Sequence, residues 1–170
     1  MSPAAHAPAT LHLLCGRIAA GKSTLARRLA AQPATVLVEE DAWLAVLYPG
    51  EIQALPDYLQ RTGRLKAMLG EHVVTLLRSG VSVVLDFPAN TVAQRSWMRG
   101  LIQRSGAAHR LHLLDVPEQV CRTRLHLRNG AGTHPLATSD TQFDLISRHF
   151  VPPSPTEGFD LLRPAGGPPG

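Results

Sequence analysis

The chain has 170 residues, of which 44% are hydrophobic and 18% are charged. This composition predicts a globular domain and excludes an intrinsically disordered chain, and no apolar run reaches the roughly 20 residues that span a bilayer. The net charge of +4 comes with arginines scattered among predicted helices, a pattern that does not favour a nucleic-acid partner. The two cysteines, Cys15 and Cys121, are too few for a disulfide framework and favour a reduced, cytoplasmic setting.

The two ends of the chain differ in composition from its middle. Residues 1–9 are rich in Ala and Pro and lack the basic start and apolar stretch of a secretory signal, so we expect a flexible tail there. Residues 164–170 are rich in Gly and Pro and predict a disordered tail. Residues 10–163 contain no internal repeat and no linker, which predicts one domain between the tails.

Short apolar runs alternate with amphipathic helical stretches along the chain. The apolar runs predict five strands: 11–15, 35–38, 81–85, 109–114 and 159–162. The helical stretches are 22–31, 56–77, 91–105, 117–128 and 139–148. We expect Asn129 and Gly130 to end the fourth of these helices, and Ser139 to cap the fifth. This alternation predicts an α/β fold with a parallel sheet that is covered by helices on both faces.

The segment between the first strand and the first helix matches the pattern G-x-x-x-x-G-K-[ST] of a phosphate-binding loop, or P-loop. Gly16 and Gly21 permit backbone conformations in which successive N–H groups point inward toward an anion. We expect the Lys22 ammonium to reach the β- and γ-phosphates of ATP and the Ser23 hydroxyl to ligate Mg²⁺. The predicted nucleotide-binding residues are Gly16, Ala19, Ala20, Gly21, Lys22, Ser23 and Thr24.

Acidic side chains follow two of the predicted strands, at the sheet edge where parallel α/β folds bind their ligands. Asp41 follows the second strand and would accept the proton of an acceptor hydroxyl, or alternatively cap the next helix. Glu40 is the alternative carrier of the same role. Asp86 follows the third strand and is predicted to hold Mg²⁺ together with Ser23, with a capping or turn role as its alternative.

Arginines lie on the helix that precedes the predicted loop at residues 129–138. Arg124 and Arg128 are four residues apart and therefore share one helix face. Such a pair can clamp phosphates and neutralise the charge that develops on a transferred phosphoryl group, although a solvated helix face would show the same spacing. Arg148, near the end of the last helix, is a further candidate for this role.

These segments together resemble a known family. The chain resembles the AAA-type ATP-binding proteins related to small P-loop kinases, a group with chloramphenicol phosphotransferase, zeta toxin and polynucleotide kinase. The resemblance runs from about Leu11 to Leu162 and is carried by the P-loop and three further stretches: 39–44, 83–90 and 114–128. It implies a P-loop NTPase fold with a five-stranded parallel sheet like that of nucleoside-monophosphate kinases, and a small mobile lid around residues 128–136.

The resemblance also implies roles for individual residues. Asp41 would be the base or the residue that orients the acceptor, and a lid arginine, Arg124 or Arg128, would contact the phosphates. Nucleotide kinases place a substrate-covering segment between the second and third strands, which makes three residues acceptor-site candidates: Tyr58, Arg61 and Arg64. Trp43 and Trp97 are interpreted as packing residues.

The favoured function is therefore an enzyme that uses Mg-ATP to phosphorylate a hydroxyl group of a small, antibiotic- or metabolite-like molecule. One alternative is a kinase for the 5′-hydroxyl of a nucleic acid or for a nucleoside. The other is a switch module that binds ATP or hydrolyses it slowly and has no small-molecule acceptor. The sequence leaves the acceptor, the choice between ATP and GTP, and the oligomeric state open.

Overall fold

The structure is a computed structural model, and it describes residues 8–134 and 137–164. Its strands are β1 (Thr10–Cys15), β2 (Thr35–Glu39), β3 (Ser82–Pro88), β4 (Ala108–Leu113) and β5 (Leu161–Leu162). Its α-helices are α1 (Lys22–Ala30), α2 (Glu40–Leu47), α3 (Leu55–Arg78), α4 (Val92–Ser105), α5 (Glu118–Ala131) and α6 (Asp140–Arg148). A 3₁₀ turn covers Pro155–Glu157. The predicted tails lie outside the described residues at 1–7 and 165–170, as do residues 135 and 136 of the predicted lid.

The strands form one parallel sheet in the order β2-β3-β1-β4-β5. The central strand β1 pairs with β3 on one side and with β4 on the other. β2 lies at the edge of the sheet, two positions from β1, and β3 occupies the position between them, so the order of strands in space differs from their order in sequence. This confirms the predicted α/β fold with a five-stranded parallel sheet, and it puts the loop after β1 at the centre of the carboxyl edge.

A hydrophobic core lies on each face of the sheet. Successive strand residues point to opposite faces, so Leu11 and Leu13 of β1 join the core beneath α3 and α4, whereas Leu14 joins the core beneath α1, α5 and α6. Ala9, which belongs to the predicted tail, is also buried in the first of these cores. The two cores explain why the strands read as continuous apolar runs. Within the described residues, no helix is both long and apolar enough to cross a membrane.

The sequence predicted that Asn129 and Gly130 end helix α5, but the helix does not end there. It continues through both residues to Ala131, and Gly132 ends it with φ 63°. A glycine inside a helix costs only about 1 kcal/mol relative to alanine, so Gly130 does not break the helix. Gly132 instead provides the left-handed conformation that favours glycine after the last helical turn.

Two segments near the predicted site also differ from expectation. Strand β3 extends to Pro88, so Asp86 lies within the strand and pairs in register with Glu39 instead of following the strand. Helix α2 begins at Glu40 and its N-cap residue is Glu39, so Asp41 lies in the first helical turn and does not cap it. Trp43, interpreted as a packing residue, is 36% exposed on the outer face of this helix.

Candidate nucleotide and acceptor site

The P-loop begins where β1 ends, and its two glycines are required for different reasons. A Cβ at Gly16 would lie 2.9 Å from the carbonyl oxygen of Leu114, so no side chain fits between these backbones. Gly21 precedes α1 with φ 98°, in the left-handed region that strains any residue with a Cβ. Between them, Ala20 is buried and its N–H donates to the Arg17 carbonyl, while Ala19 has φ 62°.

The Lys22 ammonium is folded back onto the P-loop. Its Nζ donates to the carbonyl oxygens of Gly16 at 2.6 Å and of Arg17 at 2.7 Å. Burial lowers the pKa of Lys22, and the negative charge of Asp86 opposes that shift. The ammonium therefore has oxygen acceptors within the loop that phosphate oxygens can replace.

Ser23 and Asp86 lie together beside the P-loop. Burial raises the pKa of the Asp86 carboxyl, and the neighbouring Ser23 hydroxyl and Lys22 ammonium oppose this shift. A hydroxyl and a carboxylate are hard oxygen donors of the kind that Mg²⁺ prefers, and a bound cation would favour the ionised carboxyl that burial disfavours. These two residues therefore fit a magnesium ion. Thr24, by contrast, is exposed.

Asp41 lies in the first turn of α2, where its side chain is 43% exposed. We call the space between Asp41, the P-loop and the end of α5 the crevice. Its Oδ2 lies 3.3 Å from Nε2 of His134, which follows α5. Loss of hydration raises the pKa of Asp41, and the positive charges of His134, Arg128 and Lys22 oppose that rise. Asp41 is thus within electrostatic reach of the P-loop lysine and of an α5 arginine. The sequence pattern did not identify His134.

Glu40 points away from the crevice into the α2–α3 interface. It is only 1% exposed, the Tyr58 hydroxyl donates to its Oε2 at 2.7 Å, and the Thr62 hydroxyl donates to its Oε1. Burial raises the pKa of Glu40 to about 7. The adjacent carboxyls therefore have different surroundings, and Tyr58, an acceptor-site candidate from the sequence, is occupied by Glu40.

The arginines proposed from the sequence have different surroundings. Arg128 of α5 is half-buried, and its Nε has no hydrogen-bond partner among the residues that the structure describes. Burial lowers its pKa, and the charge of Asp41 opposes that shift. Arg124 lies one turn earlier on α5 and is also half-buried, whereas Arg148 is exposed at the last residue of α6.

The two arginines of α3 that were acceptor-site candidates also differ. Arg61 forms an ion pair with Glu51 at 2.7 Å, and its guanidinium lies 4.9 Å from the ring centroid of Tyr48. It therefore fastens the α2–α3 connection to α3. Arg64 is exposed on the same helix.

Asn90 is a further residue of the site, and the sequence analysis predicted no role for it. Its Oδ1 accepts a hydrogen bond from the N–H of Gly16, and its Nδ2 donates to the carbonyl oxygen of Gly16, each over 2.9 Å. Its side chain is buried although it lies just after β3, near the carboxyl edge. The available signal was a polar amide directly after an apolar strand, but its partner lies 74 residues away.

A known family model matches most of the chain. Residues 11–153 match the family model AAA_33, described as an AAA domain. No curated protein sequence matches the chain significantly.

The fold is shared with solved kinase structures at low sequence identity. A candidate kinase from Chloroflexus aurantiacus is 24% identical, with a TM-score of 0.71 over 92% of this chain and 84% of that one. A sugar kinase from Janibacter sp. HTCC2649 is 20% identical, with a TM-score of 0.64 over 92% and 86%. Kti12 from Chaetomium thermophilum, in complex with ADP-AlF3, is 16% identical, with a TM-score of 0.65 over 91% and 88%. The chain has the fold of the P-loop kinases and belongs to the AAA domain family AAA_33.

Proposed function

We propose that this protein binds Mg-ATP and transfers the γ-phosphoryl group to a hydroxyl group of a small molecule. The observation that carries the proposal is the place of Asp41 in the first turn of α2, where its Oδ2 lies 3.3 Å from Nε2 of His134. The charges of Lys22 and Arg128 also favour the ionised form of this carboxyl. A carboxylate near a P-loop lysine and a second cation could receive an acceptor hydroxyl and direct it at the γ-phosphate.

Different residues of the crevice would bind the nucleotide and stabilise the charge of the transferred group. The backbone N–H groups of the P-loop and the positive end of α1 would bind the phosphates. Lys22 would turn from the Gly16 and Arg17 carbonyls to the β- and γ-phosphates, and Arg128 would place its guanidinium on the γ-phosphoryl group. Ser23 and Asp86 would hold Mg²⁺, which supplies further neutralisation of phosphate charge.

Asp41 would act on the acceptor. In its ionised form its carboxylate accepts the proton of the acceptor hydroxyl as the acceptor oxygen bonds to the γ-phosphorus. The bond between that phosphorus and the bridging oxygen to the β-phosphate breaks, and ADP leaves with the electron pair. In this scheme Glu40, Tyr58 and Thr62 support Asp41 by fixing the first turn of α2 against α3.

The proposed acceptor class is supported by observations of two kinds. The fold is shared with a sugar kinase, whose name denotes a hydroxyl acceptor, and with Kti12, whose complex holds ADP-AlF3. Asp41 offers a carboxylate beside the P-loop, and proton acceptance from a hydroxyl is a role that a single carboxylate performs in kinases.

The test is transfer of label from γ-labelled ATP in Mg²⁺ to pooled sugars, other alcohols, antibiotics, nucleosides and oligonucleotides. Wild type is compared with Lys22→Ala and Asp41→Asn. The control is Asp144→Asn, which removes an equal charge from α6, where Asp144 pairs with Arg122 at 2.6 Å. We expect a labelled small-molecule product with wild type and with the control, and at least a hundredfold less with either crevice variant, roughly the effect of losing a general base.

Three other outcomes would contradict the proposal. Label on oligonucleotides or nucleosides alone would support the nucleic-acid or nucleoside kinase. Tight ATP binding with slow hydrolysis, no labelled product, and hydrolysis unchanged in Asp41→Asn would support the switch module. Equal activity of Lys22→Ala and wild type would show that the P-loop is not the site of transfer.

A further inference from the structure

A buried carboxamide holds both sides of the first glycine of the P-loop. Asn90 is 7% exposed and makes two hydrogen bonds to Gly16, one through each polar atom of its side chain. The Gly16 N–H and the Gly16 carbonyl belong to the two peptide groups on either side of its Cα. Asn90 therefore fixes the orientation of both peptide planes at the point where β1 gives way to the loop.

Lys22 shares one of these acceptors. The Gly16 carbonyl oxygen accepts a hydrogen bond from Nδ2 of Asn90 at 2.9 Å and another from Nζ of Lys22 at 2.6 Å. When Lys22 turns toward a phosphate, that carbonyl loses one of its two donors. A buried carbonyl left with no donor is costly, and this cost would oppose nucleotide binding. Asn90 removes the cost because its donor remains in place.

We infer that Asn90 is a positioning residue that orients the P-loop for nucleotide binding and keeps the Gly16 carbonyl hydrogen-bonded while Lys22 contacts phosphate. The inference rests on the proposed function, because it concerns the same nucleotide site. Asn90 acts through Gly16 and Lys22. It lowers the cost of the movement of Lys22, which is a form of preorganisation.

The backbone around Asn90 is itself held by the segment that follows α6. The N–H of Val151 donates to the Asn90 carbonyl oxygen at 2.8 Å. The fully buried Arg95 donates to the carbonyl oxygens of Ala89 at 3.0 Å and Val151 at 2.8 Å, and it forms an ion pair with Glu157 at 2.8 Å. Asn90 is therefore fixed from both sides, as a residue that orients another must be.

The first test compares Asn90→Ala with a matched control, Thr91→Ala. The Thr91 hydroxyl oxygen caps α4 by accepting from the Gln94 N–H at 3.1 Å, so its removal weakens the neighbouring helix start without touching Gly16. Binding of MgADP is measured by titration calorimetry at a temperature where both variants are folded. We expect Kd to rise about tenfold or more in Asn90→Ala and to stay within about twofold of wild type in Thr91→Ala.

A second readout needs no ligand. Hydrogen exchange of the Gly16 amide in the free protein should be faster in Asn90→Ala than in Thr91→Ala at equal loss of Tm, because only the first variant removes its acceptor. If wild-type protein fails to bind MgADP, the proposed function fails, and this exchange measurement still tests the contact. The inference is overturned if Asn90→Ala lowers Tm but leaves both Kd and Gly16 exchange at the values of the control.

A conservative variant separates the two hydrogen bonds and replaces Asn90→Ala if that variant does not fold. Asn90→Asp keeps an acceptor for the Gly16 N–H but loses the donor to the Gly16 carbonyl. We expect the Gly16 amide to stay protected while MgADP binding weakens. Wild-type affinity in this variant would overturn the role assigned to the donor.

Discussion

Asp41 and Arg128 approach each other from two helices that are far apart in the sequence, at the carboxyl edge of the sheet. Arg128 lowers the cost of ionising Asp41, and Asp41 in turn favours the charged guanidinium that burial disfavours. The buried Nε of Arg128 has no hydrogen-bond partner within residues 8–134 and 137–164, and a phosphate oxygen could accept a hydrogen bond from it. At the scale of the residue, the crevice is therefore better matched to an anion than to water alone.

Replacement of Arg128 tests this match. We expect Arg128→Gln to reduce the rate of phosphoryl transfer roughly a hundredfold, because it removes a preorganised donor, and Arg128→Lys to restore only part of the rate. The measurement is kcat with the acceptor identified by label transfer. Arg78→Gln, at the opposite edge of the sheet, is the control and should retain wild-type kcat. A rate for Arg128→Gln within twofold of wild type would contradict the assignment.

The residues of the site differ in how much the sequence reveals of them. The P-loop can be predicted from the sequence because its requirements are local. One glycine stands where a Cβ does not fit, another stands where φ is positive, and a lysine and a hydroxyl residue follow at the start of a helix. Asn90 and His134 were missed because their roles come from partners, Gly16 and Asp41, that the chain brings near only after folding. No spacing rule connects such residues.

At the scale of the element, the interface between α2 and α3 contains a carboxyl that favours its protonated form. Glu40 accepts hydrogen bonds from Tyr58 and Thr62, yet burial raises its pKa to about 7. A carboxyl whose pKa is raised on folding contributes stability below its ordinary pKa, near 4.5, and that contribution is lost as the pH rises through 7. The interface should therefore weaken between these two values.

Glu40→Gln should remove this loss. At pH 8 we expect the variant to have a higher Tm than wild type and a free energy of unfolding that is larger by up to about 3 kcal/mol. At pH 5 both differences should shrink. Thermal unfolding followed by circular dichroism across this range makes the measurement. Glu71→Gln, an exposed carboxyl paired with Arg104, serves as control and should show no such trend. A constant difference between pH 5 and 8 would show that Glu40 does not titrate in this range.

The elements themselves were largely predictable, and the errors have physical reasons. The buried strands and long amphipathic helices follow from hydrophobic periodicity, and α3 was predicted within one residue at each end. The end of α5 was misplaced because Gly130 was read as a helix stop, whereas the backbone stops only where Gly132 takes a positive φ. Helix α2 begins directly after β2, with no intervening turn residues to indicate it.

At the scale of the whole molecule, a second contact whose protonation depends on pH joins the neighbouring strands β1 and β4. His12 of β1 and His112 of β4 are joined by a 3.1 Å contact between Nδ1 and Nε2. Burial lowers the pKa of His112 to about 4, with the charges of His12 and Arg110 adding to the shift. A histidine whose pKa is lowered on folding contributes stability above its ordinary pKa of 6.5 and loses it as the pH falls through 4.

We therefore expect the pH dependence of global stability to change in His112→Gln. Between pH 6.5 and 4, wild type should lose Tm more steeply than this variant, because the variant no longer has to exclude a proton at position 112. Calorimetric Tm values over this range provide the measurement, and His149→Gln, an exposed residue after α6, is the control. Parallel curves for wild type and His112→Gln would contradict the prediction. Glu40 acts in the opposite direction above pH 4.5, so the two effects flatten the profile between pH 4.5 and 6.5.

The strand order affects when the sheet can form during synthesis on the ribosome. β1 is made early, but its two partners are β3, which starts at Ser82, and β4, which starts at Ala108. At a synthesis rate of about 5–20 residues per second, β1 is made several seconds or more before either of the strands that pair with it. Parallel pairing also forbids a quick local hairpin. The P-loop, which follows β1, is thus synthesised early, and we expect it to reach its final shape only after β3 and β4 have been made.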